Sequence, residues 1–243
     1  EIDDALILSA RAKIEKEPNY SKVAGALAAN ALYKEVFRES VDSDTFELQY
    51  RKAFVQNIKK LVKAEILSAK LLDFDLKKIS EAMQPERDSL FKYLGLQILI
   101  DRYFTRHNNK IMETPQAFWM RVAMCLAINE ENKEERAIEF YNLFSNMLYT
   151  PSTPTLFNSG TTHSQLSSCY LNTFDDSIDG IFEGVWQEAR KSKYAGGLGF
   201  DVTNFRASGA FIKGTNGISG GLVPWLKILN DTLVAVNQGG KRP

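Results

Sequence analysis

The feature that most constrains the fold is a change of texture at Pro151-Ser152-Thr153-Pro154-Thr155. Each proline removes an amide donor and disfavours the helical conformation in the residue before it, so two of them within four residues end helical periodicity. Upstream, the chain reads as helix after helix. Ser21 is placed to cap a helix running to about Arg38, and Asp44 or Thr45 opens another in which Phe46, Tyr50, Phe54 and Ile58 recur every four residues. A further apolar helix is expected near Leu90 to Phe104. Thr114-Pro115 places a capping residue before a proline at the first helical position, and a last helix begins near Lys133. Residues 1–149 are therefore expected to form an all-helical domain and residues 150–243 a second domain.

Beyond the prolines the order becomes strand, helix, strand. Ser168 to Thr173 suits a short strand, and Asp175 to Ser177 can cap a helix carrying Ile181, Val185, Trp186 and Ala189. Leu198, Phe200 and Val202 then alternate with Gly199, Asp201 and Thr203 as in a half-buried strand. Two strands joined by a crossover helix form a parallel unit, the beginning of an α/β sheet or barrel. A long glycine-rich loop is expected from Arg206 to Gly221, then a helix from about Leu222 to Val236 with Pro224 in its first turn.

Lysine plus arginine number 30 and aspartate plus glutamate 30, so no net field draws polyanions or anionic lipid to the surface. Nucleic acid and membrane are unsupported as bulk partners. No apolar run approaches the roughly 20 residues a bilayer requires, and the acidic opening Glu1-Ile2-Asp3-Asp4 is unlike a secretory signal. A cytoplasmic location is expected. Cys125 and Cys169, with only His107 and His163 beside them, show no metal-ligand spacing. The absence of an initial methionine and the glycine-rich ending Gln238 to Pro243 suggest a fragment.

Cys125 falls on the apolar side of a helix, where a free cysteine behaves as a small hydrophobe. Cys169 stands at the start of a strand among Ser167, Ser168 and Tyr170, which fits either a reachable redox thiol or a buried strand residue. The hydroxyls and glycine amides of Pro151 to Thr161 can hold a phosphate without net charge, although plain turns share that composition. Gly196-Gly197-Leu198-Gly199 is not a dinucleotide fingerprint, because its glycines follow a helix and lead into a strand. Asp176, Lys193 and Arg206 can complement a nucleotide's sugar and phosphates or stand as solvated charges.

Taken in order, Pro151-Ser152-Thr153-Pro154-Thr155-Leu156-Phe157-Asn158-Ser159-Gly160-Thr161, Gln165-Leu166-Ser167-Ser168-Cys169, Ala195-Gly196-Gly197-Leu198-Gly199, Gly214-Thr215-Asn216-Gly217 and Gln238-Gly239-Gly240-Lys241-Arg242-Pro243 resemble the motifs of class I ribonucleotide reductase large subunits. The resemblance is carried by residues from about Thr150 onward. It implies a helical N-terminal domain followed by the first part of that family's α/β barrel, and an enzyme that reduces ribonucleoside diphosphates to 2′-deoxyribonucleoside diphosphates by thiol and radical chemistry. Cys169 would be one of two redox thiols, protonating the departing 2′-oxygen. Thr153 and Ser168, with amides around Gly196 and Gly197, would hold the substrate diphosphate. Asp176, Lys193 and Arg206 would form the site for a deoxynucleoside triphosphate or ATP effector, with Gln238 and Arg242 on a specificity loop that reaches the substrate base.

The same resemblance implies no metal or other cofactor bound by this chain, a radical supplied by a metal-containing small subunit, and re-reduction by thioredoxin or glutaredoxin. It also implies a homodimer through helices 177–192 and 222–236. The radical cysteine, the second redox cysteine and the C-terminal thiol pair would lie beyond Pro243, so the chain alone would be inactive. Two other readings stay open: a cobalamin-dependent reductase, which shares the barrel and thiol chemistry, and a non-catalytic nucleotide-sensing module in which Cys169 is merely buried.

Overall fold

The computed structural model describes residues 2–194 and 196–236. They divide into two compact units, one that runs to Pro151 and takes in Leu156–Ser164, and one made of Ser152–Thr155 and the chain from Gln165 onward. The division is therefore not a single cut, because residues just past the prolines return to the first unit.

The first unit is built from α1 (Ile2–Arg11), α2 (Tyr20–Phe37), α3 (Phe46–Lys63), α4 (Leu76–Glu81), α5 (Tyr93–Ile98), α6 (Pro115–Ala127) and α7 (Lys133–Ser145). The four-residue recurrence on α3 buries Tyr50, Phe54 and Ile58, and Phe46 and Tyr50 meet Tyr33 and Phe37 of α2 in an aromatic cluster with ring centroids 5.0–6.0 Å apart. Central to the unit is α6. Its residues Phe118, Trp119, Met120, Val122, Ala123 and Met124 are all buried, as expected of a helix apolar around its whole circumference. Thr114 and Pro115 start it as expected. Ser21, by contrast, lies inside α2, whose cap position is Asn19.

One departure from an all-helical region is a hairpin of β1 (Arg106–His107) and β2 (Lys110–Ile111). Its two loop residues, Asn108 and Asn109, both take left-handed backbone with φ of 51° and 61°. That geometry matches the twist of antiparallel strands, and asparagine tolerates it better than most residues.

A short helix, α8 (Thr153–Asn158), replaces the expected loop after Pro151; Pro154 sits in its first turn, where no amide is needed. The second unit then pairs β3 (Cys169–Thr173) with β4 (Gly197–Asp201) in parallel, in register from Cys169 opposite Gly197 to Thr173 opposite Asp201. The crossover is α9 (Ile178–Lys193), capped by Ser177, whose hydroxyl accepts from the Gly180 amide at 3.0 Å. Along β3, Cys169, Leu171 and Thr173 are exposed while Tyr170 and Asn172 are partly covered.

Phe174, Ile181, Val185 and Leu229 form the buried core of this unit, the last from α10 (Val223–Val236). Gly184 is required there, since a Cβ at its position would stand 2.3 Å from the Phe174 ring. The stretch expected to be a loop between Arg206 and Gly221 contains a second hairpin, β5 (Phe211–Ile212) with β6 (Gly217–Ile218). Among the described residues no helix is long and apolar enough to cross a membrane.

Candidate active site

The start of β3 brings together most of the residues expected at the thiol site. Cys169 is exposed and free, and the Ser168 hydroxyl points to its sulfur at 3.6 Å. Gly197 lies directly across the ladder, its amide donating to the Ser168 carbonyl at 2.6 Å. The Gly196 amide donates to the Lys191 carbonyl at 3.2 Å. Both glycine amides expected to assist a diphosphate are thus engaged within the protein. Their absent side chains matter more directly, because a Cβ on Gly196 would meet the Tyr170 ring at 2.9 Å.

The Ser152–Thr155 segment is tied to the chain that enters β3. The Thr155 hydroxyl donates to the Leu166 carbonyl at 3.0 Å and lies 3.0 Å from the Ser152 hydroxyl. Thr153, at the first position of α8, is partly exposed. A neutral collection of hydroxyls thus stands in the segments flanking an accessible thiol, chemistry that suits directional contacts to phosphate oxygens.

A second site forms at the opening of α9. Arg206 donates from Nε to the Asp176 carboxylate at 2.5 Å and from its terminal nitrogen to the Asp176 carbonyl at 3.1 Å. Two of the three expected charges, one between β3 and α9 and one just after β4, are therefore brought together. The pair edges a cavity of about 190 Å³ walled by Ile181, Phe205, Ile212 and Trp225 and floored by Gly220 and Gly221. Ile212 of the hairpin is not legible as a site residue, because its segment reads as a glycine-rich loop, and Phe205 and Trp225 lie on either side of that loop with no spacing to link them.

Lys193 does not join this cavity within the chain. It ends α9, sixteen residues long, which at 1.5 Å per residue places it about 24 Å along the axis from the helix start. Its ammonium lies over the Tyr194 ring at 5.5 Å. Gln238 and Arg242 fall outside the described residues. Cys125 is partly buried in α6, with its sulfur 4.0 Å from the Ser164 hydroxyl. Among the described residues no three His, Cys, Asp or Glu side chains are grouped to hold a metal ion.

A helical domain leading into a parallel α/β unit with a thiol at its first strand has counterparts among known proteins. Residues 89–164 match the family described as "Ribonucleotide reductase, all-alpha domain", and residues 167–243 match "Ribonucleotide reductase, barrel domain". The chain belongs to the ribonucleotide reductase large-subunit family.

Its relatives agree. It is 52% identical over 239 residues to the ribonucleoside-diphosphate reductase subunit alpha of Chlamydia trachomatis, an alignment that covers 98% of this chain and 23% of the relative. The protein of the same name from Helicobacter pylori is 40% identical over 244 residues, covering 100% of this chain and 30% of the relative. The ribonucleoside-diphosphate reductase large subunit of Vaccinia virus is 39% identical over 233 residues, covering 94% and 29%. The chain spans between 23% and 30% of the length of these relatives. Its second unit accordingly holds the start of the barrel, with a sheet of two strands that is not closed.

Proposed function

We propose that this chain supplies one redox thiol, the diphosphate-holding hydroxyls and the effector cavity of a ribonucleoside-diphosphate reductase catalytic subunit. The observation that carries the reading is the exposed Cys169 at the first residue of β3, beside Ser168 and opposite Gly197. Thr153 and Ser168 bind the substrate diphosphate. The Cys169 thiol protonates the ribose 2′-oxygen as it leaves as water. Cys169 and a second thiol from outside these residues then give up two electrons and close as a disulfide, which balances the reduction of one C–O bond to C–H. An external dithiol protein such as thioredoxin or glutaredoxin restores both thiols, and a metal-containing small subunit supplies the radical that starts each turnover.

In the cavity at α9, Asp176 accepts from the 3′-hydroxyl of a deoxynucleoside triphosphate and Arg206 binds its phosphates. Occupation requires Arg206 to exchange its bond to Asp176 for bonds to the ligand. Lys193 enters from a second copy. A stripe of exposed side chains, Ile178, Phe182 and Trp186, runs along α9, and Val223, Leu226 and Val234 continue it on α10. Monomers seldom leave such a surface bare. Antiparallel pairing of α9 with its copy about a two-fold axis covers the stripe and sets the copy's helix end, with its Lys193, beside Asp176 and Arg206. Gln238 and Arg242, on the segment after α10, carry the effector's choice to the substrate base.

The test is Cys169→Ser in the full-length subunit reconstituted with its small subunit. Multiple-turnover reduction supported by a dithiol should be lost, because serine cannot form the disulfide, while effector binding stays intact. Normal steady-state turnover would sink the assignment and favour a nucleotide-sensing module.

A further inference from the structure

Among the described residues α9 buries Ile181, Gly184, Val185 and Glu188, and the carboxylate is the odd member of that set. Glu188 is 1% exposed. Its Oε1 accepts from the Asn172 side-chain amide on β3 at 2.5 Å and from the Lys191 ammonium at 3.1 Å. Its Oε2 is buried with no hydrogen-bond partner among the described residues. Cohesion alone is a poor reason for a carboxylate here, since apolar residues of similar volume commonly stabilise a core as well or better.

The neighbours of Glu188 give it another use. Helix α9 runs back along β3 and meets its covered side chains at three successive levels. The Phe174 ring fills the notch at Gly184, where a Cβ would stand 2.3 Å away. Asn172 reaches Glu188, with Gln187 Oε1 3.4 Å from the same amide nitrogen. The Lys191 ammonium lies 5.6 Å from the centre of the Tyr170 ring. From Gly184 to Glu188 the helix advances about 6 Å, and from Phe174 to Asn172 the strand covers about 6.6 Å, so the first two levels match. Glu188 joins the second level to the third, because it also holds Lys191. A slip of one residue would turn Cys169 to the covered face. A slip of two would keep its facing but move it about 6.6 Å along the strand, and would set an aromatic ring against the carboxylate in place of the Asn172 amide.

We propose that Glu188 is a positioning residue for the Cys169 thiol. By binding Asn172 and Lys191 together it fixes where β3 lies along α9, and so where Cys169, at the start of the same strand, presents its sulfur to the second thiol. The inference rests on the reading of Cys169 as a redox thiol.

The experiment uses the full-length subunit with its small subunit and compares Cys169→Ser, read by turnover, with Glu188→Gln, Glu188→Leu, Asn172→Leu and the double variant Glu188→Leu with Asn172→Leu. Measured on each folded Glu188 and Asn172 variant are kcat, KM for nucleoside diphosphate, effector affinity, and the equilibrium of the Cys169 disulfide with reduced and oxidised glutathione, read from the masses of the Cys169 peptide. A misplaced sulfur closes its disulfide less readily. Glu188→Leu should therefore form it about tenfold less favourably, a reduction potential about 30 mV higher. Its kcat should fall in proportion, while KM and effector affinity hold. Glu188→Gln keeps an oxygen for Asn172 and should restore most of both losses. Asn172→Leu should match Glu188→Leu, and the double variant should lose little more than either, as members of one contact do. Asn172→Leu serves alone if Glu188→Leu does not fold. A wild-type potential in Glu188→Leu and Asn172→Leu, with turnover lost in Cys169→Ser, overturns the positioning role alone, whatever kcat does. Normal turnover in Cys169→Ser overturns it together with the reading beneath it. Substrate and effector affinity falling along with the potential also overturns it, as the mark of general disruption.

Discussion

The two units bury their apolar residues to different degrees. In the helical unit a continuous core runs from Ala28 to Leu156 and closes around α6. In the α/β unit four buried side chains suffice for the core, while Leu171 is 87% exposed on the face of β3 that also carries Cys169, and Val223 is 77% exposed on α10. Burial of this kind is what stabilises a fold, and bare apolar surface is what remains for later partners. The first unit is thus closed around its own core. The second holds the candidate chemistry beside apolar side chains of β3, α9 and α10 that stay at the surface.

The largest effect that would break this contrast is expected in the first core. Phe118→Ala should cost about 3–5 kcal/mol, the usual range for deleting a fully buried ring, read by urea unfolding of the helical signal. A loss under about 1 kcal/mol would mean that the α6 core does not set the unit's stability.

Next is the polar centre of the same unit. Buried Asp88 accepts from the Tyr33 and Tyr50 hydroxyls at 2.8 and 2.7 Å and from the Gln116 amide at 2.7 Å. Burial raises its pKa from 3.8 to about 6 against the pull of these three donors, with nearby Glu86 raising it slightly further. Because the folded value exceeds the unfolded one, the Asp88 contribution is greatest below about pH 4 and is lost as pH rises through 6, by about 3 kcal/mol in all. Subtracting the pH profile of Asp88→Asn isolates it. A wild-type advantage that grows with pH would show that the three donors outweigh desolvation.

In the second unit, Arg206→Ala should weaken deoxynucleoside triphosphate binding by about 1.5–3 kcal/mol, the range for hydrogen bonds to charged groups. Calorimetric titration of the full-length protein checks it, and unchanged affinity there would leave Arg206 and Asp176 as a surface pair. The smallest effect expected is Leu171→Ala, below about 0.5 kcal/mol in this chain, and several times larger in a full-length protein whose further strands bury that face. Equal losses in both, from parallel denaturant titrations, would remove the contrast between the two units.

Legibility follows the same division. The helices are readable because their apolar spacing recurs over several turns and because Thr114-Pro115 marks a start that tertiary packing does not override. The hairpin at Asn108-Asn109 escapes because its strands are two residues long and its turn lacks glycine. Helix α8 escapes because two prolines look like a break, although one of them fits a first turn. Cys169 and the Asp176–Arg206 pair lie at the ends of the strand-helix-strand unit, so folding that unit is enough to place them. Lys193 is separated from the Asp176–Arg206 pair by the length of α9, a distance that sequence order does not display.

The parallel register of β3 and β4 has a consequence in time. Cys169 finds Gly197 only after a loop of about 28 residues closes, at an entropy cost of about 3 kcal/mol by the logarithmic rule, whereas helices form from neighbours in sequence. Local contacts form fast and non-local strand pairing forms slowly. A chain emerging from the ribosome therefore completes its helical support while the thiol strand is still unpaired, and both edges of that strand are open to any other strand it meets. The interval between those two events is where the nascent protein is most exposed to misassociation, and its length is set by how soon the next strand arrives.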